Sequence, residues 1–233
     1  MSILSKSQLQ TLALGVEIQS ESGYSKKIIV KNKAEARISV FLSHKHTDKD
    51  ILERVIKILQ SLGVSVYVDW LDDDMPKHTS TITAEKIKKK IIENDKFLLV
   101  ATDDAINSKW CNWELGFGDA QKFDKLNIAL FPIREDNRDW SGSEYMGLYP
   151  IIEFEDGSTD YIAKEKINGG GYLYIPYFEG CNEPISGKIP VGYYFTLKKE
   201  LFKQIGEFEG DEPAEVKLSL KDWLNMKIDN DNE

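Results

Sequence analysis

Phe97-Leu98-Leu99-Val100-Ala101 is an unbroken apolar run. A strand with one wet face alternates apolar and polar residues; a continuous run belongs to a parallel sheet covered on both faces. The segments around it fit that reading. Upstream, Ala84 to Glu93 sets Ile87 and Ile91 inward and lysines outward, which predicts a helix. Before it, Val64-Ser65-Val66-Tyr67-Val68 is β-branched and reads as a strand, followed by the polar loop Asp69 to Pro76. Ile51, Leu52, Val55, Ile56, Leu59 and Leu62 repeat at helical spacing, with Thr47 and Asp50 at the start and Gly63 as the stop. Ile38-Ser39-Val40-Phe41-Leu42 is a short buried strand ahead of that helix. Downstream, Lys109 to Phe123 is helical, Ile128 to Phe131 is a fourth strand and Tyr149 to Phe154 a fifth. Strands alternating with helices predict right-handed βαβ crossovers. The fold class is α/β, a flavodoxin-like parallel sheet of four or five strands with helices on both faces.

The rhythm holds over residues 37–154. Residues 1–36 form an N-terminal extension, with a capping box at Ser5-Lys6-Ser7-Gln8 and Leu9, Leu12, Ala13 and Val16 on one helical face. Its lysine-rich continuation reads as an exposed connection with a short strand at Ile28-Ile29-Val30. Residues 155–216 break the pattern as a C-terminal insertion. There Asn168 to Gly171 predicts a hairpin turn between Tyr161-Ile162-Ala163 and Tyr172 to Ile175. Tyr193 to Phe195 predicts a strand and Leu197 to Ile205 a helix. Residues 217–233 read as a final amphipathic helix, Leu218 to Met226, and an acidic tail.

Composition removes several function classes. The chain has 233 residues and a formal net charge of −9, against the basic face that a nucleic-acid binder needs. No apolar run approaches the roughly 20 residues that span a bilayer, and Met1 to Ser5 lacks a basic n-region. The two cysteines, Cys111 and Cys181, exclude a disulfide framework and a four-cysteine zinc site. The expectation is a cytoplasmic protein that binds neither nucleic acid nor membrane.

Ligands of an open parallel sheet sit at the carboxyl ends of its strands. Here those ends lead into Ser43-His44-Lys45-His46, Asp69-Trp70, Thr102-Asp103-Asp104 and Arg134-Glu135. Such groups either converge on a ligand or simply solvate loop starts. The most unusual segment is Ser108-Lys109-Trp110-Cys111-Asn112-Trp113-Glu114-Leu115-Gly116. Trp110 and Glu114 share a helical face. A carboxylate among indoles and a thiol should be desolvated, which raises its pKa unless a cation lies near. The alternative is a core stripe of Trp110, Trp113 and Phe117 with Glu114 in water. His44-Lys45-His46 suggests no metal, because no third and fourth ligand stands at a helpful spacing. Gly116-Phe117-Gly118 is not a dinucleotide fingerprint. Cys111 reads as a small buried residue, and Lys86 to Lys90 as a solvated helix face.

Three boxes carry a family resemblance. Ile38 to His44 resembles the first strand box of TIR (Toll/interleukin-1 receptor) domains. Val66-Tyr67-Val68-Asp69-Trp70 with its acidic, proline-containing loop resembles their second strand and BB loop. Trp110 to Gly116 resembles the tryptophan-to-glutamate motif of bacterial and plant NAD-cleaving members. Leu130-Phe131-Pro132-Ile133 and Gly147-Leu148-Tyr149-Pro150 look like the strands that follow in bacterial members. Leu71 to Thr81 departs from many receptor TIR domains in lacking a Pro-Gly pair, and residues 155–216 have no counterpart.

The resemblance implies an NAD+ glycohydrolase or ADP-ribosyl cyclase, with NAD+ as substrate and no cofactor. It implies that Glu114 is catalytic and that Trp110 walls the pocket or stacks on the leaving ring. Ser43, His44 and Lys45 would lie near the diphosphate or ribose, and Asp69 and Trp70 near the nucleotide. It further implies self-association through TIR surfaces, anti-phage defence and a separate effector that senses the product, as in a Thoeris-type system. Two other functions remain open at this point: a non-catalytic TIR–TIR adaptor, and a nucleoside deoxyribosyltransferase-like enzyme.

Overall fold

The structure, a computed structural model, describes residues 3–14, 38–76, 80–166, 171–177, 186–204 and 213–226. Its parallel half is built from β2 (Ser39–Ser43), β3 (Ser65–Tyr67), β4 (Lys96–Ala101), β5 (Ile128–Arg134) and β6 (Ile151–Glu155). They lie side by side in the order β3-β2-β4-β5-β6, the order of a flavodoxin-like sheet. Alternation along each strand divides the core. Val40, Leu42, Leu98, Val100, Ala129 and Phe131 face one side, while Phe41, Phe97, Leu99, Ile128 and Leu130 face the other. Helices α1 (Lys6–Leu14), α2 (Lys49–Ser61) and α6 (Leu220–Asn225) cover the first side. Helices α3 (Thr81–Glu93), α4 (Asp103–Ile106) and α5 (Lys109–Lys122) cover the second. Helix α5 lies close on the sheet: a Cβ at Gly118 would stand 2.9 Å from the Phe97 ring.

The N-terminal capping box forms as expected. Ser5 N–H donates to Gln8 Oε1 at 2.9 Å, and Gln8 N–H to Ser5 Oγ at 3.3 Å. A short strand, β1 (Leu4–Ser5), pairs in parallel with Ile133 and Arg134 at the end of β5. The strand expected at Ile28 to Val30 lies outside the described residues. Helix α2 begins differently from expectation. Asp48, not Thr47, occupies the N-cap, and its side chain makes no cap bond because it accepts from Thr102 Oγ1 instead. Gly63 follows the helix at φ +82°, a left-handed position suited to glycine.

Beyond β6 the sheet continues with antiparallel strands: β7 (Asp160–Lys166), β8 (Tyr172–Pro176), β9 (Gly187–Lys188), β10 (Gly192–Lys198) and β11 (Glu215–Ser219). The order runs β6-β10-β11-β8-β7-β9. The two strands of the expected hairpin pair antiparallel as β7 and β8, while residues 168–170 of its turn lie outside the described residues. Two expected helices are shorter than their sequence patterns. Leu197 and Lys198 complete β10, and only Lys199–Gln204 turns, as a 3-10 segment. Leu218 belongs to β11, so the last helix begins at Leu220. Cross-strand pairing of both segments with the sheet overrides their helical spacing. In α6, Trp223 stacks on Phe195 with ring centroids 4.9 Å apart and donates its indole N–H to Leu126 O at 2.7 Å.

A buried ion cluster ties this half together. Lys217, with its side chain wholly buried, lies 2.7 Å from Glu153 Oε2, 3.0 Å from Glu155 Oε1 and 3.4 Å from Glu215 Oε1. Thr196 Oγ1 donates to Glu153 at 2.8 Å. Burial alone would pull the Lys217 pKa down, but the surrounding carboxylates outweigh it and the pKa is raised.

Candidate functional site

The chain leaves β2 at the switch point of the sheet, where β3 lies on one side and β4 on the other. Ser43, the last residue of β2, is buried and donates its hydroxyl to Glu114 Oε2 at 2.5 Å. Glu114 lies in the second turn of α5 and is 3% exposed. One turn earlier, Cys111 Sγ lies 3.3 Å from His44 O and donates to it. Ser108 caps α5 through Cys111 N–H. The start of α5 is thus fastened to the end of β2 by Cys111 and Glu114. Burial pushes the Glu114 carboxyl up to about 8. Ser43 and Trp110 favour the charged form, while the nearby Asp69 carboxylate disfavours it. Burial likewise raises the Cys111 thiol to about 11, which makes it a poor nucleophile at neutral pH.

A cleft of about 620 Å3 opens beside this pair. His44, Lys45, Asp69, Trp70 and Trp110 line it, whereas Ser43 and Glu114 stand behind that lining. Both readings of the α5 motif hold in part. Trp110, Trp113 and Phe117 form a half-buried aromatic row, with centroids 5.0 Å and 6.4 Å apart along it. Glu114 does not point to water, as that reading had it, but inward toward β2.

The two later strand ends do not join the site. Thr102 caps α4 through Ala105 N–H and bonds to Asp48, and Asp103 pairs with Arg138. Arg134 donates from Nε to Ile3 O at 3.2 Å, beside the strand that covers the end of β5. These polar residues neither join the cleft nor merely solvate their loops; they tie neighbouring segments together.

His46, Asp72, Asp73, Met75, Pro76, Thr83 and Ser108 also line the cleft, none of which the sequence reading assigned to substrate contact. The signal for several was the acidic, proline-containing loop after β3. The absence of a third metal ligand also needs correction. Register pairs Phe41 with Tyr67, so Asp69 stands abreast of the β2 end. His44 Nε2 is 3.7 Å from Asp69 Oδ1, and His46 Nε2 is 3.8 Å from Asp69 Oδ2. Burial lowers the His44 pKa, against the pull of Asp69.

The parallel sheet in this order defines a flavodoxin-like α/β class, and sequence comparison identifies the family within it. The TIR domain pattern matches residues 40–166, more than half the chain. The protein belongs to the TIR domain family.

Two relatives narrow the comparison. One, of Bacillus cereus (strain MSX-D12), carries the name "Probable 3' cyclic ADP-D-ribose synthase ThsB'". It is 30% identical over 141 residues, which cover 57% of this chain and 72% of the relative. The other, "Probable 2' cyclic ADP-D-ribose synthase TcpO" of Methanobrevibacter olleyae, is 27% identical over 151 residues. That match covers 62% of this chain and only 40% of the relative. Among the described residues no helix is long and apolar enough to cross a membrane.

Proposed function

We propose that this chain is an NAD+-cleaving enzyme that breaks the nicotinamide–ribose bond and releases a cyclic ADP-ribose-type product. The observation that carries the reading is Glu114, a carboxylate buried just behind the lining of the cleft and held by Ser43 at 2.5 Å. The names of the two relatives support the cyclic outcome.

The chemistry asks little more of the protein than a placed negative charge. Nicotinamide is already cationic, so it leaves with the C–N electron pair and needs no general acid. The ribose carbon becomes oxocarbenium-like, as in glycoside hydrolysis. An ionised Glu114 facing that carbon stabilises the developing charge, a preorganised electrostatic role. In the free protein burial favours the neutral form of the carboxyl. The cationic nicotinamide riboside brings the opposite charge that favours its ionised form. Trp110 shields the carbon from water, which leaves a hydroxyl or ring nitrogen of the same molecule to attack and close the ring. Attack by a hydroxyl releases its proton; attack by water instead gives ADP-ribose. Ser43 positions Glu114. His44 and Lys45 contact ribose or diphosphate, and Asp69 and Trp70 contact the nucleotide.

The same reading places the enzyme in the cytoplasm, in anti-phage defence of the Thoeris type. It works there through TIR self-association and a separate effector that senses the product. Chromatography with mass detection tests the chemistry. Wild type incubated with NAD+ should release nicotinamide and a co-product one water lighter than ADP-ribose, and Glu114→Ala should release neither. Nicotinamide with ADP-ribose alone would replace cyclisation by hydrolysis. Equal release by both proteins would refute the role of Glu114.

A further inference from the structure

We propose that His44, His46 and Asp69 form a binding site for a borderline divalent cation, of which Zn2+ is the type, at the mouth of the cleft. The inference goes beyond NAD+ cleavage and does not depend on it, although it shares His44 and Asp69 with the substrate contacts proposed above.

Geometry carries it. The three residues each offer one ligand atom, and these atoms all lie within 4.8 Å of one another. A metal with bonds near 2.0–2.2 Å needs its ligands only a little closer than the 3.7 Å and 3.8 Å separations between imidazole and carboxylate. The His44 ring is already oriented for the task. Its Nδ1 lies 3.1 Å from Leu42 O, a pure acceptor, so Nδ1 carries the proton and Nε2 the lone pair. An imidazole whose other N–H is tied to a backbone carbonyl has the outer-shell arrangement of a metal-bound histidine.

The same Nε2 is buried and has no hydrogen-bond partner, and His44 as a whole is only 7% exposed. It faces Asp69 Oδ1, another acceptor. Asp69 Oδ1 also accepts from Trp70 N–H at 2.8 Å, but the buried Nε2 lone pair faces this half-buried carboxylate with no proton between them, an arrangement that a cation would satisfy. His46, exposed at 63% of its side chain, closes the site from the solvent side with its ring edge-on to His44. Asp72 and Asp73 add negative charge to the same cleft, against Lys45. Two imidazoles and one carboxylate suit Zn2+ and its neighbours rather than Mg2+ or Ca2+, which prefer oxygen. Three protein ligands leave at least one position open toward the cleft.

The test titrates the metal-stripped full chain with Zn2+ by calorimetry and with Co2+ by visible absorption. The expected result is one saturable equivalent at micromolar affinity, with cobalt bands of a low-coordinate nitrogen–oxygen site. His46→Gln, at an exposed position, and Asp69→Asn should each weaken binding by at least about tenfold. Mg2+ should not compete at equal concentration. Binding only at millimolar Zn2+, or binding that neither substitution weakens, would overturn the site. The first result would leave the His44–Asp69 contact without a resident ion; the second would put the metal elsewhere in the chain.

Discussion

In the parallel half of the sheet, Glu114 is buried beside a hydroxyl, an indole and a second acid. In the antiparallel half, Lys217 is buried among three carboxylates, with Thr196 completing the cluster. Both side chains are removed from water, yet burial wins at one and loses at the other. At Glu114 no cation compensates desolvation, so the neutral form gains. At Lys217 paired charges outweigh desolvation, so the charged form gains. The first arrangement stores an unsatisfied demand for positive charge next to a cleft, as a site for a cationic substrate requires. The second satisfies its demand internally and specifies how β6, β10 and β11 pair.

The largest effects should therefore separate by kind. Glu114→Gln should lower nicotinamide release by roughly 100-fold or more while the protein stays folded. Lys217→Met should do the reverse. It strands several buried carboxylates at a cost of about 3–5 kcal/mol, seen as a melting temperature lower by roughly 10 °C. Its activity per folded molecule should stay near wild type. A Lys217→Met protein that melts like wild type but loses catalysis would break the comparison.

Next in size is the pH dependence of stability. The folded pKa of Glu114, about 8, lies above the ordinary glutamate value of about 4.3. The native state then binds more protons than the unfolded state between those values. The stability this group contributes is complete at low pH and lost as pH rises through about 8. Denaturant midpoints of wild type should fall from pH 5 to pH 8 more steeply than those of Glu114→Gln. Parallel curves would mean that Glu114 is ionised in the free protein.

Ser43→Ala sharpens the account further. Without the hydroxyl the carboxylate loses its closest stabiliser, worth about 1.5–3 kcal/mol for a charged hydrogen bond. Activity at pH 7 should fall by roughly tenfold and recover in part as pH is raised. An effect of opposite sign to that of Glu114 should come from Lys96, a buried lysine that bonds Asn127 Oδ1 at 2.6 Å and Met226 O at 2.9 Å. Burial lowers its pKa to about 7, so its contribution to stability grows as pH rises from 7 toward 10. Lys96→Met should gain on wild type more at pH 6 than at pH 9.

The parallel half was legible because its signals are local. The apolar run at Phe97 to Ala101 is buried throughout and splits its side chains between two cores. Glu114 was legible as a proposed site residue through the tryptophan-to-glutamate motif it shares with NAD-cleaving TIR domains, while spacing alone left a core stripe open. Its direction was not, since helical spacing places Trp110 and Glu114 together without saying which meets the sheet. The antiparallel half was hidden by distance. Lys217 meets Glu153 across 64 residues, and only register places them together. Asp69 opposite His44 was hidden in the same way, by pairing of β2 with β3 rather than by any spacing.

The most direct test of the central claim is the pH profile of kcat/KM for nicotinamide release, measured for wild type and Glu114→Gln from pH 6 to 9. This ratio reports ionisation of the free protein. The account predicts a wild-type rate that climbs with pH and levels off near the Glu114 value of about 8, and a variant slower by roughly 100-fold or more throughout. A flat wild-type profile, or a variant that cleaves NAD+ at the wild-type rate, would contradict it.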